Sequence, residues 1–154
     1  MSTNYLPANY PILAPYLSIR NAARAIDFYK TAFGATERMR MAAPNGKIMH
    51  AEIDIHGGVV MLADECPEMS FQSPQHYNGS PVTIHLYVSD VDALVAHAGA
   101  HGATIADPPK NQFYGDRTAR LIDPFGHTWH FATHVEDVTP EEMERRSREM
   151  FGGG

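Results

Sequence analysis

Gly34-Ala35-Thr36 returns as Gly102-Ala103-Thr104 after 68 residues, and Asp54, Gly57 and Ala63 return as Asp123, Gly126 and Ala132 after 69. Leu17-x-Ile19 likewise returns as Leu86-x-Val88, so the landmarks recur in the same order with one residue of slippage. One module has been duplicated in tandem. Two copies present two similar surfaces, and the space between such surfaces is a natural place to bind a ligand.

Working outward from these landmarks gives the contents of a module. Residues 16–19 alternate like a half-buried strand, and Asn21 then offers an N-cap to a helix with Ile26, Tyr29 and Phe33 at helical spacing up to Gly34. Extended runs follow at 36–41, at 47–55 after the Pro44-Asn45-Gly46 turn, and at 59–63 after Gly57-Gly58. The first module therefore reads β-α-β-β-β. The second opens with a strand at 82–88 and caps a helix at Asp90 that carries Val91, Leu94, Val95 and Ala98. Strands are expected at 104–106, 117–122 and 128–133, with Asp123-Pro124-Phe125-Gly126 fitting a type I turn between the last two.

The expected organisation is an N-terminal arm at 1–11, then one domain at 12–138, then a C-terminal helix and tail at 139–154. Within the domain the modules span 12–65 and 82–134. The linker at 66–81 shows neither period, and Phe71, His76 and Tyr77 are aromatic enough to cover a cavity edge. Thr139-Pro140-Glu141-Glu142 is a capping box, and Met143, Ser147, Met150 and Phe151 lie along one side of the helix that it starts.

Composition narrows the function. With 154 residues the chain suits one domain with a sizeable core, and a net charge of −6 lacks the basic footprint of a nucleic-acid binder. The single cysteine, Cys66, forms no internal disulfide, and no stretch has the ~20 apolar residues of a membrane span. A cytoplasmic protein without nucleic-acid or membrane partners is expected.

Two tandem modules, Ala25-Ile26-Asp27-Phe28-Tyr29 on the first helix and Asp123-Pro124-x-Gly126 before the last strand resemble the vicinal oxygen chelate superfamily. That superfamily includes glyoxalase I, bleomycin-resistance proteins and extradiol dioxygenases. The stretches at 61–65, 111–117 and 123–127 resemble its PhnB-like branch. The resemblance implies an α+β fold of tandem βαβββ modules, with curved mixed sheets around a shared cavity. It also implies a homodimer whose sheets complete or extend the cavity walls across a two-fold axis.

Metal-dependent relatives take ligands from the first and last strands of each module, and the resemblance puts those positions at Ala14, Met61, Thr83 and His130. Only His130 is a good donor there, so the usual metal site is expected to be absent and no cofactor is required. Strand parity turns Tyr16, Met61, Thr83, His85, Tyr87 and His130 toward the cavity, together with His50 and Glu52. Three readings of this cluster stay open. One is metal-free ligand recognition or acid–base work, with Glu52 and His130 as catalytic candidates. Another is a displaced divalent-metal site on Glu52, His85 and His130. The third is a solvated, internally hydrogen-bonded sheet face. Tyr114 and Arg117 are further ligand-binding candidates, although a carboxylate at Asp116 or Asp123 can hold Arg117 structurally.

The expected function is small-molecule binding in the cavity between the modules, without the usual metal. The alternative is a metal-dependent lyase, isomerase or dioxygenase using the displaced site, and the sequence leaves enzymatic activity undecided.

Overall fold

The computed structural model describes residues 2–152, so Met1, Gly153 and Gly154, at the outer ends of the expected arm and tail, lie outside the described residues. The first module runs β1 (Tyr16–Ile19), α1 (Ala22–Phe33), β2 (Thr36–Ala42), β3 (Ile48–Ile55) and β4 (Gly58–Asp64). The linker holds a 3-10 turn (Pro67–Met69) and a short helix α2 (Pro74–Tyr77). The second module runs β5 (Thr83–Tyr87), α3 (Val91–Ala100), β6 (Thr104–Asn111), β7 (Asp116–Ile122) and β8 (Thr128–His134), and α4 (Pro140–Phe151) follows.

Each module makes a four-stranded mixed sheet, ordered β1-β4-β3-β2 in the first and β5-β8-β7-β6 in the second. The first and last strands of each module pair in parallel at one edge, with Tyr16 beside Met61 and His85 beside His130. The structure thus repeats what the sequence repeats. One element is longer than its pattern indicated: β6 continues through Pro108 and Pro109 to Asn111. It lies at a sheet edge and slips register twice against β7, and edge strands tolerate the missing proline N–H groups.

Local signals set the helix ends. The Asn21 side chain accepts a hydrogen bond from the Arg24 backbone N–H, and Asp90 accepts one from Ala93 at the start of α3. On α1, Ala22, Ala25, Ile26, Tyr29, Ala32 and Phe33 are buried at helical spacing. That burial faces both modules. The Phe33 ring centroid lies 5.0 Å from those of Trp129 and Phe131 on β8, so α1 packs on the second sheet as well as on its own.

The two helices fill the space between the sheets in one core. Leu17, Ile53 and Leu62 from the first sheet join Leu121, Trp129 and Phe131 from the second. Truncating a wholly buried aromatic such as Phe33 or Trp129 to alanine should remove about 3–5 kcal/mol of stability. Polar ties cross the same boundary. His97 Nε2 donates to the Thr31 carbonyl at 2.7 Å, and His127 Nε2 donates to the Ser18 carbonyl at 3.0 Å.

Asp123 anchors the junction. Its Oδ2 accepts from the Tyr29 hydroxyl at 2.6 Å and from Trp129 Nε1 at 2.9 Å, while its Oδ1 accepts from the backbone N–H groups of Phe125 and His127. Burial, followed by the Asp123 charge, holds the Tyr29 phenol far above its ordinary pKa, so it remains a donor.

This packing has a topological consequence. Alternate residues of a strand point to opposite faces, and both helix-side faces turn inward to the common core. The other faces, bearing Glu52 and Met61 on one sheet and His85 and His130 on the other, therefore point outward from that core. Residues of both modules, from Pro15 and Val59 to His85 and Tyr87, line a cavity of about 470 Å³ at their junction.

Candidate functional site

On the first sheet, cross-strand register brings Tyr16, Met61 and Glu52 into one row. The Tyr16 hydroxyl lies 2.6 Å from His50 Nδ1, and His50 Nε2 lies 2.8 Å from Glu52 Oε2. Glu52 also accepts from the Tyr10 hydroxyl through Oε1, at 2.6 Å. Arg38 stands behind, with Nε 3.7 Å from Glu52 Oε1 and its guanidinium carbon 4.7 Å from the Tyr10 ring centroid. The result is a continuous polar chain from Tyr16 to Tyr10.

Glu52 is buried at 4% exposure, and burial alone raises a carboxyl pKa. Hydrogen bonds from Tyr10 and His50 and the Arg38 charge outweigh that effect and hold it below the usual range. Because the carboxylate only accepts, His50 must carry its proton on Nε2, which leaves Nδ1 to accept from Tyr16. Burial and the charge of Glu52 raise the Tyr16 phenol, so it does not ionise by itself at neutral pH.

A cavity of about 690 Å³ adjoins this chain, with Tyr16, Ile48, Met49 and Ala63 on its sheet side. The linker forms the opposite wall. Cys66 and Phe71 exchange backbone hydrogen bonds in a tight loop, and the Phe71 ring meets Tyr16 edge-on at 5.6 Å. Phe71 stands at the edge of this cavity, whereas His76 and Tyr77 pack on each other away from its lining.

The second sheet carries a different constellation. His85 and His130 stack with their Nδ1 atoms 2.7 Å apart, and Arg120 sits beside His130 and pairs with Asp107 at 2.7 Å. Burial, then the charges of His85 and Arg120, lowers the His130 pKa. Tyr87 donates to Asp116 at 2.7 Å, and Asp116 meets His134 Nδ1 at 2.8 Å. A smaller cavity of about 340 Å³ adjoins His130, Arg120 and Lys110.

Of the residues picked from sequence, Tyr16, His50, Glu52 and Met61 come together on one sheet, and Thr83, His85, Tyr87 and His130 share the face of the other. Thr83 opposes Thr128 rather than His130, at the exposed start of β5. Tyr114 packs edge-on against Phe113 beside the β6–β7 turn. Arg117 does not join the face: its guanidinium forms a two-point pair with Asp92 at 2.6 and 2.8 Å, a partner different from the Asp116 or Asp123 considered above. Two participants were missed. Tyr10 lies in the arm, where no period gives an orientation, and Arg38 is the residue at which the β2–β3 register shifts, between Glu37 and Met39, so parity breaks there.

The metal question follows from the same geometry. Glu52 and the His85/His130 pair lie on outward faces of different sheets, so the displaced trio does not converge within the chain. Among the described residues no group of three His, Cys, Asp or Glu side chains is placed to hold a metal ion. The residues that pair across the first and last strands are Tyr16, Met61, His85 and His130. The two imidazoles suit borderline ions, but the Met61 thioether and the Tyr16 phenol, on the other sheet, do not, so these four do not make a four-ligand site within the chain.

A duplicated βαβββ unit with open sheet faces defines a class of proteins, and residues 12–131 match the Glyoxalase/Bleomycin resistance protein/Dioxygenase superfamily. The chain belongs to that superfamily. An uncharacterized protein of Mycobacterium tuberculosis is 43% identical over 137 residues, which cover 87% of this chain and 81% of that one. An uncharacterized Arabidopsis thaliana protein is 30% identical over 127 residues, covering 78% and 76%. Among solved structures, TioX from Micromonospora sp. ML1 aligns with a TM-score of 0.64 and 29% identity over 80% of this chain and 98% of its own.

Proposed function

We propose that this protein binds a small molecule against the Tyr16–His50–Glu52 face, without the metal used by metal-dependent relatives, and that a homodimer completes the site. The observation that carries the reading is the mixed wall of the 690 Å³ cavity, where apolar side chains surround a hydrogen-bonded phenol. Small-molecule pockets combine those two features. The dimer follows from the outward faces: each is half a cup, and the second sheet of another copy is the surface that can oppose the first. The motifs at 111–117 and 123–127 favour the PhnB-like branch for this arrangement.

The second reading, a metal-dependent lyase, isomerase or dioxygenase, draws on the His85–His130 pair. It needs Glu52 of one copy to meet that pair on another. Metal analysis of untagged protein, combined with its mass in solution, separates the readings. A dimer that shows no thermal shift with Zn²⁺, Mn²⁺, Ni²⁺ or Fe²⁺ but shifts with organic ligands supports the first. One metal per chain, lost in His85→Ala and His130→Ala, establishes the second.

A further inference from the structure

We infer that the Tyr10 side chain occupies a subsite for an aryl hydroxyl, and that the small molecule bound at this face carries a phenol that displaces Tyr10 from Glu52 and Arg38. The inference rests on the binding reading above and adds the ligand's class to it. Three observations carry it. First, the cradle around Tyr10 reads each part of a phenol: Glu52 Oε1 accepts from the hydroxyl at 2.6 Å, and the Arg38 guanidinium carbon stands 4.7 Å from the ring centroid. Second, the cradle does not need Tyr10. His50 holds Glu52 at 2.8 Å and Asp54 holds Arg38 Nη1 at 2.9 Å, so both groups keep their places when the ring leaves. Third, the arm is tied lightly. Residues 2–5, 7–9 and 11–13 are exposed. Among the described residues, hydrogen bonds tie 2–14 to the sheet only at the Tyr10 hydroxyl and at the Asn9 carbonyl, which accepts from Arg38 Nη2 at 2.9 Å.

What Glu52 loses sets the terms of the exchange. Without Tyr10, Oε1 of a carboxylate that is 4% exposed keeps only Arg38 Nε at 3.7 Å, beyond hydrogen-bond reach, and a buried oxygen without a donor is costly. An entering hydroxyl meets that need and an ether does not. The hydrogen bond to Glu52 raises the Tyr10 phenol pKa, so the resident group stays a neutral donor. An entering phenol must be neutral too, because a phenolate would face the carboxylate. Residues 11–15 tether Tyr10 to β1, and a short tether presents its own ring at an effective concentration on the order of millimolar. A bare phenol therefore competes poorly with Tyr10, whereas a phenol whose remainder also fills the cavity beside Tyr16 displaces it. The arm thus selects for larger ligands.

4-Methylphenol, the tyrosine side chain itself, is the probe, read by calorimetry on the full chain. Tyr10→Ala should bind it about tenfold more tightly than wild type or better, since the tethered competitor is gone. 4-Methylanisole, which has the ring but no donor, should gain nothing from the substitution. Glu52→Gln added to Tyr10→Ala should remove most of the gain. At concentrations that occupy the wild type, NMR contacts between the Tyr10 ring and Arg38 should disappear. Equal affinity in wild type and in a Tyr10→Ala variant that melts cooperatively, or an equal gain for 4-methylanisole, would overturn the subsite and make Tyr10 a structural tie. Wild-type binding with the Tyr10–Arg38 contacts intact would overturn displacement. Neither result touches the binding reading, which fails only if wild type shifts with no organic ligand.

Discussion

Asp123 accepts two side-chain hydrogen bonds from two elements and two backbone ones from its own turn, so one carboxylate closes the turn and fastens α1 to β8. Asp123→Ala strands the Tyr29 hydroxyl and the Trp129 N–H in the core and should cost about 3–5 kcal/mol in urea unfolding. Tyr29→Phe, which removes one donor and keeps the ring, should cost about 1–2 kcal/mol in the same measurement. Glu65 sets a pH dependence. Arg20, then Ser73, holds its carboxyl down to about 2, from the usual 4.5. A depressed carboxyl stabilises the fold above its unfolded pKa and loses that contribution as pH falls through its folded one. Stability should therefore decline between pH 4.5 and about 2, and Glu65→Gln should flatten that decline in melts recorded across the range. Residue by residue, the sequence exposed which side chains share a face, because period two is strict. It did not expose Tyr10, whose position depends on how the arm folds back over β3.

At the level of elements, the turn before β8 depends on a glycine for two reasons. Gly126 has φ of 92°, and a Cβ there would stand 2.7 Å from Pro74 Cβ of α2. Gly126→Ala should lower thermal stability and loosen the linker, read as faster amide exchange at 75–79. The terminal helix is held differently. Among the described residues none of its side chains is buried, and Arg146 ties it to Glu136 and to the Phe113 carbonyl. Exposed pairs contribute little, so Arg146→Ala should leave global stability within about 1 kcal/mol while exchange in 140–151 quickens. Strands and helices were legible because caps, glycines and hydrophobic periods agreed in both modules. The extension of β6 was not, since Pro108-Pro109 reads as a break unless the strand is known to lie at an edge.

For the whole molecule, the repeat established two modules but not how they sit against each other. Periodicity says which residues share a face; only the aromatic side of α1, reaching across to Trp129 and Phe131, decides that the helices lie between the sheets. His85 and Glu52 consequently belong to different surfaces of the chain, a separation invisible in their spacing. Outward-facing, unlike sheets would also govern how copies combine in the proposed dimer. If the first face of one copy meets the second face of its neighbour and the pairing closes at two, every cup is a hybrid with contributions from both chains. Two crippled proteins, one carrying Tyr16→Phe and the other His130→Ala, should then rescue each other when refolded together. In each mixed pair one cup inherits both defects and the other inherits neither, restoring about half the native capacity per mixed pair. Pairing that does not close would instead propagate head to tail, and the same mixture would lengthen into fibres.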